Sequence, residues 1–265
     1  MIEKWHRIIT AQKVNDKIEV SELSGKEESR LDSKIVARPL VTITNVIWSF
    51  NTELHRPQLL LIKRADEPLK GKWALPETLL RSHESADAAC IRLIDDKIGL
   101  QVPMSSTEQL ATFTDPNRVA DSRALSLAYM TYLPSTPKLH PGYGATDAQW
   151  FTLSADQHKY VISHDRQQFI LTTPSDLAFD HVQIINTAIN RIKNKLDYQP
   201  GILHILGDSF TLRQAREVFA AFLGTTLDKI DNSNFKKTHN HLFKEVGTAS
   251  LQHSGRPPKL FKLNC

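Results

Sequence analysis

Short blocks of β-branched and aromatic residues predict that the first two thirds of the chain forms strands. Residues 41–50 and 59–64 predict a strand pair joined by a polar hairpin loop. Residues 108–115 and 124–133 predict a second pair, and residues 145–153 predict one more strand. This region is therefore expected to build a sheet.

Helical spacing of apolar residues predicts helices at 84–97 and 181–196. In the second helix the apolar positions are Val182, Ile185, Ile189, Ile192 and Leu196. Residues 154–176 are polar and irregular, apart from a short strand predicted at 168–172. The polar residues 1–38 are interpreted as an N-terminal extension to which no function is assigned.

The last part of the chain has the pattern of a winged helix. Residues 210–224 predict a helix that starts after an N-capping Thr211. A second helix is predicted at 231–245, followed by a basic hairpin and strand at 253–263. In helix-turn-helix proteins the second helix enters the major groove, so this part is expected to bind DNA. A small helical dimerisation domain with a basic surface is the alternative.

Charge is unevenly distributed along the chain. Residues 181–265 carry 12 Lys and Arg against 6 Asp and Glu, a net charge of +6, whereas residues 1–180 carry 21 against 23, a net charge of −2. This asymmetry favours a polyanionic partner for the C-terminal part, and a solvated basic face is the alternative.

Composition indicates a soluble globular protein. The chain has 265 residues, of which 40% are hydrophobic and 23% charged, enough for one large or two ordinary domains. No apolar run is long enough to span a membrane, and the first residues lack the apolar stretch of a secretory signal. Two cysteines make no disulfide framework, so a cytoplasmic location is expected.

Residues 67–100 resemble the Nudix hydrolase signature, G-x5-E-x7-R-E-U-x-E-E-x-G-U with U aliphatic, without gaps. The matches include Glu84, Arg92 and Gly99, and the mismatches fall on the residues that hold metal in that family. Thr78 replaces the glycine, Leu93 replaces a Glu, and Asp96 and Lys97 replace the final Glu pair.

The resemblance therefore implies a Nudix domain without its metal site. Mg²⁺ requires oxygen ligands in near-octahedral geometry, but Leu93 offers no oxygen and Lys97 brings a positive charge. We expect no catalytic residue, no metal ligand and no cofactor. One alternative is a hydrolase that uses the carboxylates Glu77, Glu84 and Asp87, and another is a chance match in an amphipathic helix.

Over residues 40–265 the chain resembles the Nudix-related transcriptional regulators of NAD biosynthesis. The resemblance is carried by L-L-L-I-K-R-A-D-E-P-L-K-G-K-W-A-L-P from residue 59, L-A-F-D-H-V-Q-I-I from 177, F-T-L from 210, N-F-K-K from 234 and G-R-P-P-K-L-F from 255. It departs from the family at Glu77 and Thr78, where members usually carry two glycines.

This resemblance implies an α+β fold in three parts. These are an N-terminal extension (1–38), a Nudix-like α/β/α sandwich with a mixed sheet (39–198) and a C-terminal winged helix-turn-helix domain (199–265). It implies a homodimeric repressor that binds double-stranded operator DNA, regulates NAD metabolism genes and responds to ADP-ribose or a related nucleotide. A Nudix domain that only dimerises and senses nothing is the remaining alternative.

Site residues follow from the same resemblance. For the ligand, Arg64, Lys70 and Lys72 are expected to neutralise the diphosphate, Trp73 and Phe113 to stack on adenine, and Asp180 and His181 to bond ribose hydroxyls. Core packing is the alternative for the two aromatic residues. For Asp180 and His181 the alternative is a helix N-cap and a charge near the helix dipole.

For DNA, the expected contacts are Lys236 and Lys237, followed by Asn234, Arg213 and Arg256. A solvated face is the alternative for the two lysines.

Overall fold

The computed structural model describes residues 39–120, 122–156, 159–249 and 257–264. The first domain contains the strands β1 (Leu40–Asn51), β2 (Arg56–Arg64), β3 (Trp73–Ala74), β4 (Glu77–Leu79), β5 (Thr107–Phe113), β6 (Ala124–Tyr132), β7 (Ala145–Asp156), β8 (Lys159–His164) and β9 (Gln167–Ile170). Its helices are α1 (Ala86–Ile98) and α2 (His181–Lys195).

The strands form a mixed sheet in the order β5-β6-β1-β2-β7-β8-β9, with β3 paired to β2 and β4 paired to β1. Strands β1 and β6 run parallel, and the other pairs are antiparallel. The predicted mixed sheet is confirmed, and its central strand β1 is buried along nearly its whole length.

Alternate residues of β1 face different helices, which makes the sheet the middle layer of a sandwich. Ile43 packs with Cys90 and Leu93 of α1 on one face. Val46 and Trp48 belong to the larger core that includes α2 on the other face. Because side chains alternate across a strand, one apolar strand supplies both layers.

The C-terminal domain contains the short strand β10 (Phe210–Thr211), helices α3 (Leu212–Leu223) and α4 (Asn232–His239), and strands β11 (Phe243–Thr248) and β12 (Lys259–Leu263). The strands pair in the order β10-β12-β11. Thr211 and Gln214 form a reciprocal capping box at the start of α3, and Gly224 ends that helix in the left-handed conformation. The predicted winged helix-turn-helix architecture is confirmed.

Two predictions of secondary structure were wrong in extent. Strand β8 lies in the stretch 154–176 that was interpreted as irregular. The second helix of the winged helix ends at His239 rather than 245, because a 3-10 turn over Asn240–Leu242 leads into β11. Lys244 is consequently on a strand.

One hydrophobic core runs through both domains. Trp48 of β1 meets Phe222 of α3 edge to face, with ring centroids 5.2 Å apart. The hydroxyl of Tyr160 on β8 donates to the backbone carbonyl of Phe222. Trp48, Phe222 and Phe261 of the wing strand belong to one continuous cluster of buried residues. The winged helix is thus packed directly on the sheet.

Among the described residues, no helix is long and apolar enough to cross a membrane.

Candidate functional site

Helix α1 carries the signature positions, and its start is defined by local chemistry. The Ser85 hydroxyl caps the helix by accepting the Ala88 N–H at 3.1 Å. Gly99 ends it at φ 69°, in the left-handed region where glycine carries no steric penalty. The second half of the signature, from Arg92, therefore lies on this helix, whereas Glu84 precedes its N-cap and Thr78, at the loop glycine position, lies on β4.

Arg92 holds the acidic residues around it in an internal network. Its guanidinium donates to Glu84 at 2.6 and 2.8 Å, to Asp96 at 3.1 Å and to the Thr78 hydroxyl at 3.2 Å. The hydrogen bond from Arg92 lowers the pKa of the Glu84 carboxyl to about 2. Glu84 is ionised at neutral pH, but its charge is compensated inside the protein.

Lys97 occupies the last acidic position of the signature and fixes a neighbouring loop. Its ammonium donates to the carbonyl of Tyr143 and lies 5.7 Å from the centre of that ring. The loop approaches so closely that a Cβ at Gly142 would lie 2.1 Å from the carbonyl oxygen of Asp96. Burial lowers the pKa of Lys97, and the positive charge of Arg64 lowers it further.

These residues do not fit the divalent metal that Nudix chemistry uses. Leu93 is fully buried in the core, and Lys97 places a cation where a carboxylate is needed. Within the part of the chain that the structure describes, no group of three or more His, Cys, Asp or Glu side chains is arranged to hold a metal ion.

The three carboxylates of the alternative hydrolase all have partners within the protein. Glu84 is bound by Arg92, and Asp87 accepts the hydroxyl of Tyr129 at 2.6 Å. Glu77 lies 3.1 Å from Nε2 of His181. None of the three is a free base in this arrangement.

Glu77 belongs to a buried polar network that the sequence did not predict. Nδ1 of His181 accepts the Leu75 N–H at 3.0 Å, so the proton of the neutral ring is on Nε2 and donates to Glu77. Arg118 binds both oxygens of Asp180, at 2.9 and 3.0 Å. Burial opposes ionisation of Glu77, but the hydrogen bond from His181 and the charge of Arg118 outweigh it and lower its pKa to about 2.

Arg118 is fully buried and has one unused donor. Its Nη1 makes no hydrogen bond in the described structure and lies 4.0 Å from the nearer oxygen of Glu77. A buried donor without an acceptor costs about 1–3 kcal/mol, so this nitrogen is suited to an acceptor from outside the protein.

A groove of about 1390 Å³ lies beside this network. It is formed by the loops around residues 67–72, 115–120 and 171–180 together with α2. A smaller cavity of about 80 Å³ adjoins it and reaches β4 of the signature loop. The two share the lining residues Pro68, Val119, Ser122 and Phe179. The combined space is sufficient for a nucleotide-sized molecule.

Of the three predicted cations, two line these cavities. Arg64 borders the smaller one and lies over the ring of Phe179, with 4.8 Å between the guanidinium carbon and the ring centroid. Lys72 borders the groove and donates to the carbonyl of Ser175 at 2.6 Å. Lys70 is exposed on the same loop and lines neither cavity.

The other predicted ligand residues lie in three different environments, which are the core, the groove and the buried polar network. Trp73 and Phe113 are buried in the main core, with Trp73 packed edge to face on Phe151. Asp180 lines the groove but is bound by Arg118, and it does not cap α2 with its side chain. His181 is fully buried, with both nitrogens bonded internally. Their roles as ligand contacts stay predictions.

The second helix of the winged helix, α4, exposes its polar residues. Asp231 caps it by accepting the Asn234 N–H at 2.7 Å. Phe235 and His239 face the core, whereas Asn234, Lys236 and Lys237 face solvent. No side-chain hydrogen bond or ion pair joins these three to the described residues. Arg256 lies outside the described residues.

Arg213 and Arg216, both on α3, have different roles. Arg213 is exposed and bound to Glu217 at 3.0 Å. Arg216, which the sequence did not single out, donates to the carbonyls of Ile230 and Leu227 and so fixes the turn before α4. Phe179 was also missed, although its position beside Asp180 in the quoted 177–185 block was a usable signal. Arg118 lies in the loop between β5 and β6, where the sequence gave no such signal.

Comparison with known proteins agrees with this two-part architecture. Residues 41–169 match the sequence model of the NUDIX domain, and residues 202–263 match that of the NrtR DNA-binding winged helix domain. The chain belongs to the Nudix-related transcriptional regulators.

Solved structures of the family have the same fold. A MutT/nudix family protein from Enterococcus faecalis is 29% identical, covers 95% of this chain and 98% of its own, and superimposes with a TM-score of 0.78. The Shewanella oneidensis NrtR structure with a 27mer DNA is 22% identical, covers 84% of this chain and 93% of its own, and gives a TM-score of 0.62. At that identity the second match supports the fold alone.

A curated relative of this Nudix-related regulator is the ADPR responsive transcriptional repressor NtrR of Acinetobacter baylyi. It is 25% identical over 193 residues, which cover 72% of this chain and 69% of the relative.

Proposed function

We propose that this protein is a DNA-binding transcriptional repressor of NAD metabolism genes, whose Nudix domain binds ADP-ribose or a related nucleotide without hydrolysing it. The observation that carries the proposal is the combination of two sites in one chain. The signature helix has Leu93 in the core and Lys97 at a metal position, while α4 exposes Lys236 and Lys237 without partners in the described structure.

DNA binding follows from the exposed face of α4. Lysines without internal partners can neutralise phosphates and release condensed counterions, and Asn234 can bond base edges or phosphates. The relative from Acinetobacter baylyi is a transcriptional repressor, which supports operator DNA as the partner.

Ligand binding is supported by the groove beside the polar network. Arg64 and Lys72 supply positive charge for a diphosphate, and the unused donor of Arg118 supplies a further hydrogen bond. Phe179 offers a ring beside the groove for stacking. The curated relative responds to ADPR, which supports ADP-ribose as the effector.

Regulation requires that the two ligands favour different arrangements. We propose a homodimer, because one winged helix reads half of a palindromic site and a second copy supplies the other half. ADP-ribose then weakens operator binding only if it binds better to the arrangement that fits DNA poorly.

The test is a fluorescence-polarisation titration of genomic duplexes, at fixed salt, with and without ADP-ribose. Specific binding that ADP-ribose weakens supports the ligand-responsive repressor. Specific binding that ignores ADP-ribose refutes ADP-ribose as the effector, and an absence of specific binding refutes the repressor.

Hydrolysis is tested separately on the same preparation. We expect no ADP-ribose turnover with Mg²⁺, because the carboxylates of the signature are replaced or paired. Turnover that the exposed Glu53→Gln leaves unchanged but Glu77→Gln abolishes would indicate that Glu77 takes part in catalysis and would overturn the non-hydrolytic hypothesis.

A further inference from the structure

A buried carboxylate joins the two domains beside an exposed arginine of the winged helix. Glu217 on α3 is almost completely buried, and its carboxylate oxygens have separate partners. One oxygen is 3.2 Å from Nδ1 of His55, and the other accepts Nε of Arg213 at 3.0 Å. Because an ionised carboxylate only accepts, Nδ1 of His55 carries the proton in this bond.

His55 lies at the end of the turn between β1 and β2, in the Nudix domain. The side-chain oxygen of Asn51 fixes this turn by accepting the N–H groups of Glu53 and Leu54 at 2.9 and 2.8 Å. His55 has φ 54°, in the left-handed region that few residues other than glycine and asparagine adopt. The turn thus presents its imidazole to Glu217 from a defined backbone position.

Helix α3 is also held by the sheet near its C-terminal end. Tyr160 donates to the carbonyl of Phe222, and Trp48 packs on the Phe222 ring. The helix is therefore attached to the Nudix domain at two points, through the polar bridge at Glu217 in its middle and through the contacts of Phe222 near its end. Its orientation follows that of the sheet.

Arg213 is the exposed member of the bridge. Its side chain is 69% exposed, and Glu217 holds it through Nε alone. Its two terminal nitrogens have no hydrogen-bond partner among the described residues, so they are available to a phosphate. Helix α3 is the first helix of the helix-turn-helix motif here. In such motifs the first helix crosses the DNA backbone.

We infer that His55 and Glu217 are positioning residues that hold Arg213 in place for a DNA phosphate, so that a turn of the Nudix domain determines one backbone contact of the winged helix. This inference rests on the proposed function. A free arginine loses rotamer freedom when it binds, and prior fixation by Glu217 reduces that loss. His55 completes the carboxylate's second hydrogen bond and keeps it aligned.

The experiment measures operator affinity as a function of salt for the full chain and its variants, using a duplex selected by the wild type. Arg213→Ala is expected to lower affinity about five- to tenfold and to reduce the salt slope by about one ion. His55→Gly removes the imidazole without backbone strain, and we expect a loss of about threefold in the same direction. His55→Asn keeps a donor in reach of Glu217 and is expected to restore most of the affinity.

The double variant His55→Gly with Arg213→Ala separates positioning from a merely structural role. If His55 acts through Arg213, its removal costs no further affinity once Arg213 is absent, and the salt slope stays at the Arg213→Ala value. Glu53→Gln on the same turn and Arg166→Ala on the β8–β9 turn are exposed controls, and both are expected to match the wild type.

Three outcomes would overturn the inference. They are a wild-type salt slope for Arg213→Ala, a wild-type affinity for His55→Gly, and a His55→Gly loss that persists in full without Arg213. Failure of the proposed function looks different, because the wild type itself then shows no specific binding. A melting-temperature measurement on each variant confirms that the compared proteins are folded.

Discussion

Helices α1 and α4 both carry charged side chains, but those side chains have opposite relations to the rest of the protein. Both begin at a side-chain cap, Ser85 in one and Asp231 in the other. In α1 the two cations are bound internally, Arg92 to Glu84 and Lys97 to the Tyr143 carbonyl. In α4 the lysines Lys236 and Lys237 face solvent and bind none of the described residues.

The difference indicates which helix can bind a charged partner from solution. A charge with an internal partner has already been compensated, and an external ion or ligand would have to displace that partner. A charge without an internal partner attracts one from solution. The signature helix has thus become part of the scaffold, while the recognition helix presents its charge to a polyanion.

The largest expected effect is at Leu93, where the signature requires a carboxylate. Leu93→Glu buries an unpaired charge in the core against Ile43 and Tyr129, and should lower the free energy of unfolding by more than about 4 kcal/mol. Urea denaturation measures this, with the exposed Leu54→Glu as control. If Leu93→Glu is as stable as the wild type, α1 is not a structural part of the core. The contrast drawn between α1 and α4 is then wrong.

Removal of the two exposed lysines tests the other helix. Lys236→Ala with Lys237→Ala should weaken operator binding about thirtyfold through the loss of two charged phosphate contacts, with a salt slope smaller by about two ions. The matched control replaces Lys138 and Lys159, which are equally exposed on the Nudix domain. Equal losses in both pairs would mean that general charge, rather than the α4 face, attracts DNA.

Arg92 tests whether the signature charges have become structural. Arg92→Ala leaves Glu84 without its main partner and should reduce the free energy of unfolding by about 1–2 kcal/mol. The measurement is the midpoint of urea unfolding, and the exposed Arg166→Ala serves as control. An unchanged midpoint for Arg92→Ala would show that this network contributes little to stability.

The smallest expected effect is a pH dependence from Glu77. Its pKa in the folded protein is about 2, below the value of about 4.3 for an unfolded chain. The stabilisation is therefore complete above about pH 4.3 and is lost as pH falls towards 2. Between pH 5 and 3, stability should fall less steeply in Glu77→Gln than in the wild type, by up to about 1.4 kcal/mol per pH unit. Identical slopes would contradict the buried network, and Glu53→Gln controls for loss of an exposed carboxylate.

Periodicity and the signature predicted most of the fold. The strand pair at 41–64 and both main helices of the sheet region were predicted within a few residues, because apolar spacing reports directly on packing. The end of α4 was predicted wrongly, since Phe243 continues the apolar pattern of the helix but belongs to a strand. The apolar side chain of Phe243 belongs to the wing sheet instead.

The site was harder to predict because it is built by contacts distant in sequence. The positions of Leu93 and Lys97 in the signature predict that no metal is bound there, and this stays a prediction. The pairing of Glu77 with His181 spans 104 residues, and that of Arg118 with Asp180 spans 62. No local pattern encodes such pairs, so the hydrogen bonds of His181 to Leu75 and Glu77 were not predicted, and its role as a ligand contact stays a prediction.

The edge-to-face contact between Trp48 and Phe222 has a consequence for how the protein unfolds. The sequence predicts a domain boundary near residue 199, and the two family matches lie on either side of it. One cluster of buried apolar residues nevertheless extends across that boundary. Separation would expose aromatic surface on both parts, so loss of one domain removes support from the other. We therefore expect the two domains to unfold together, as one cooperative unit.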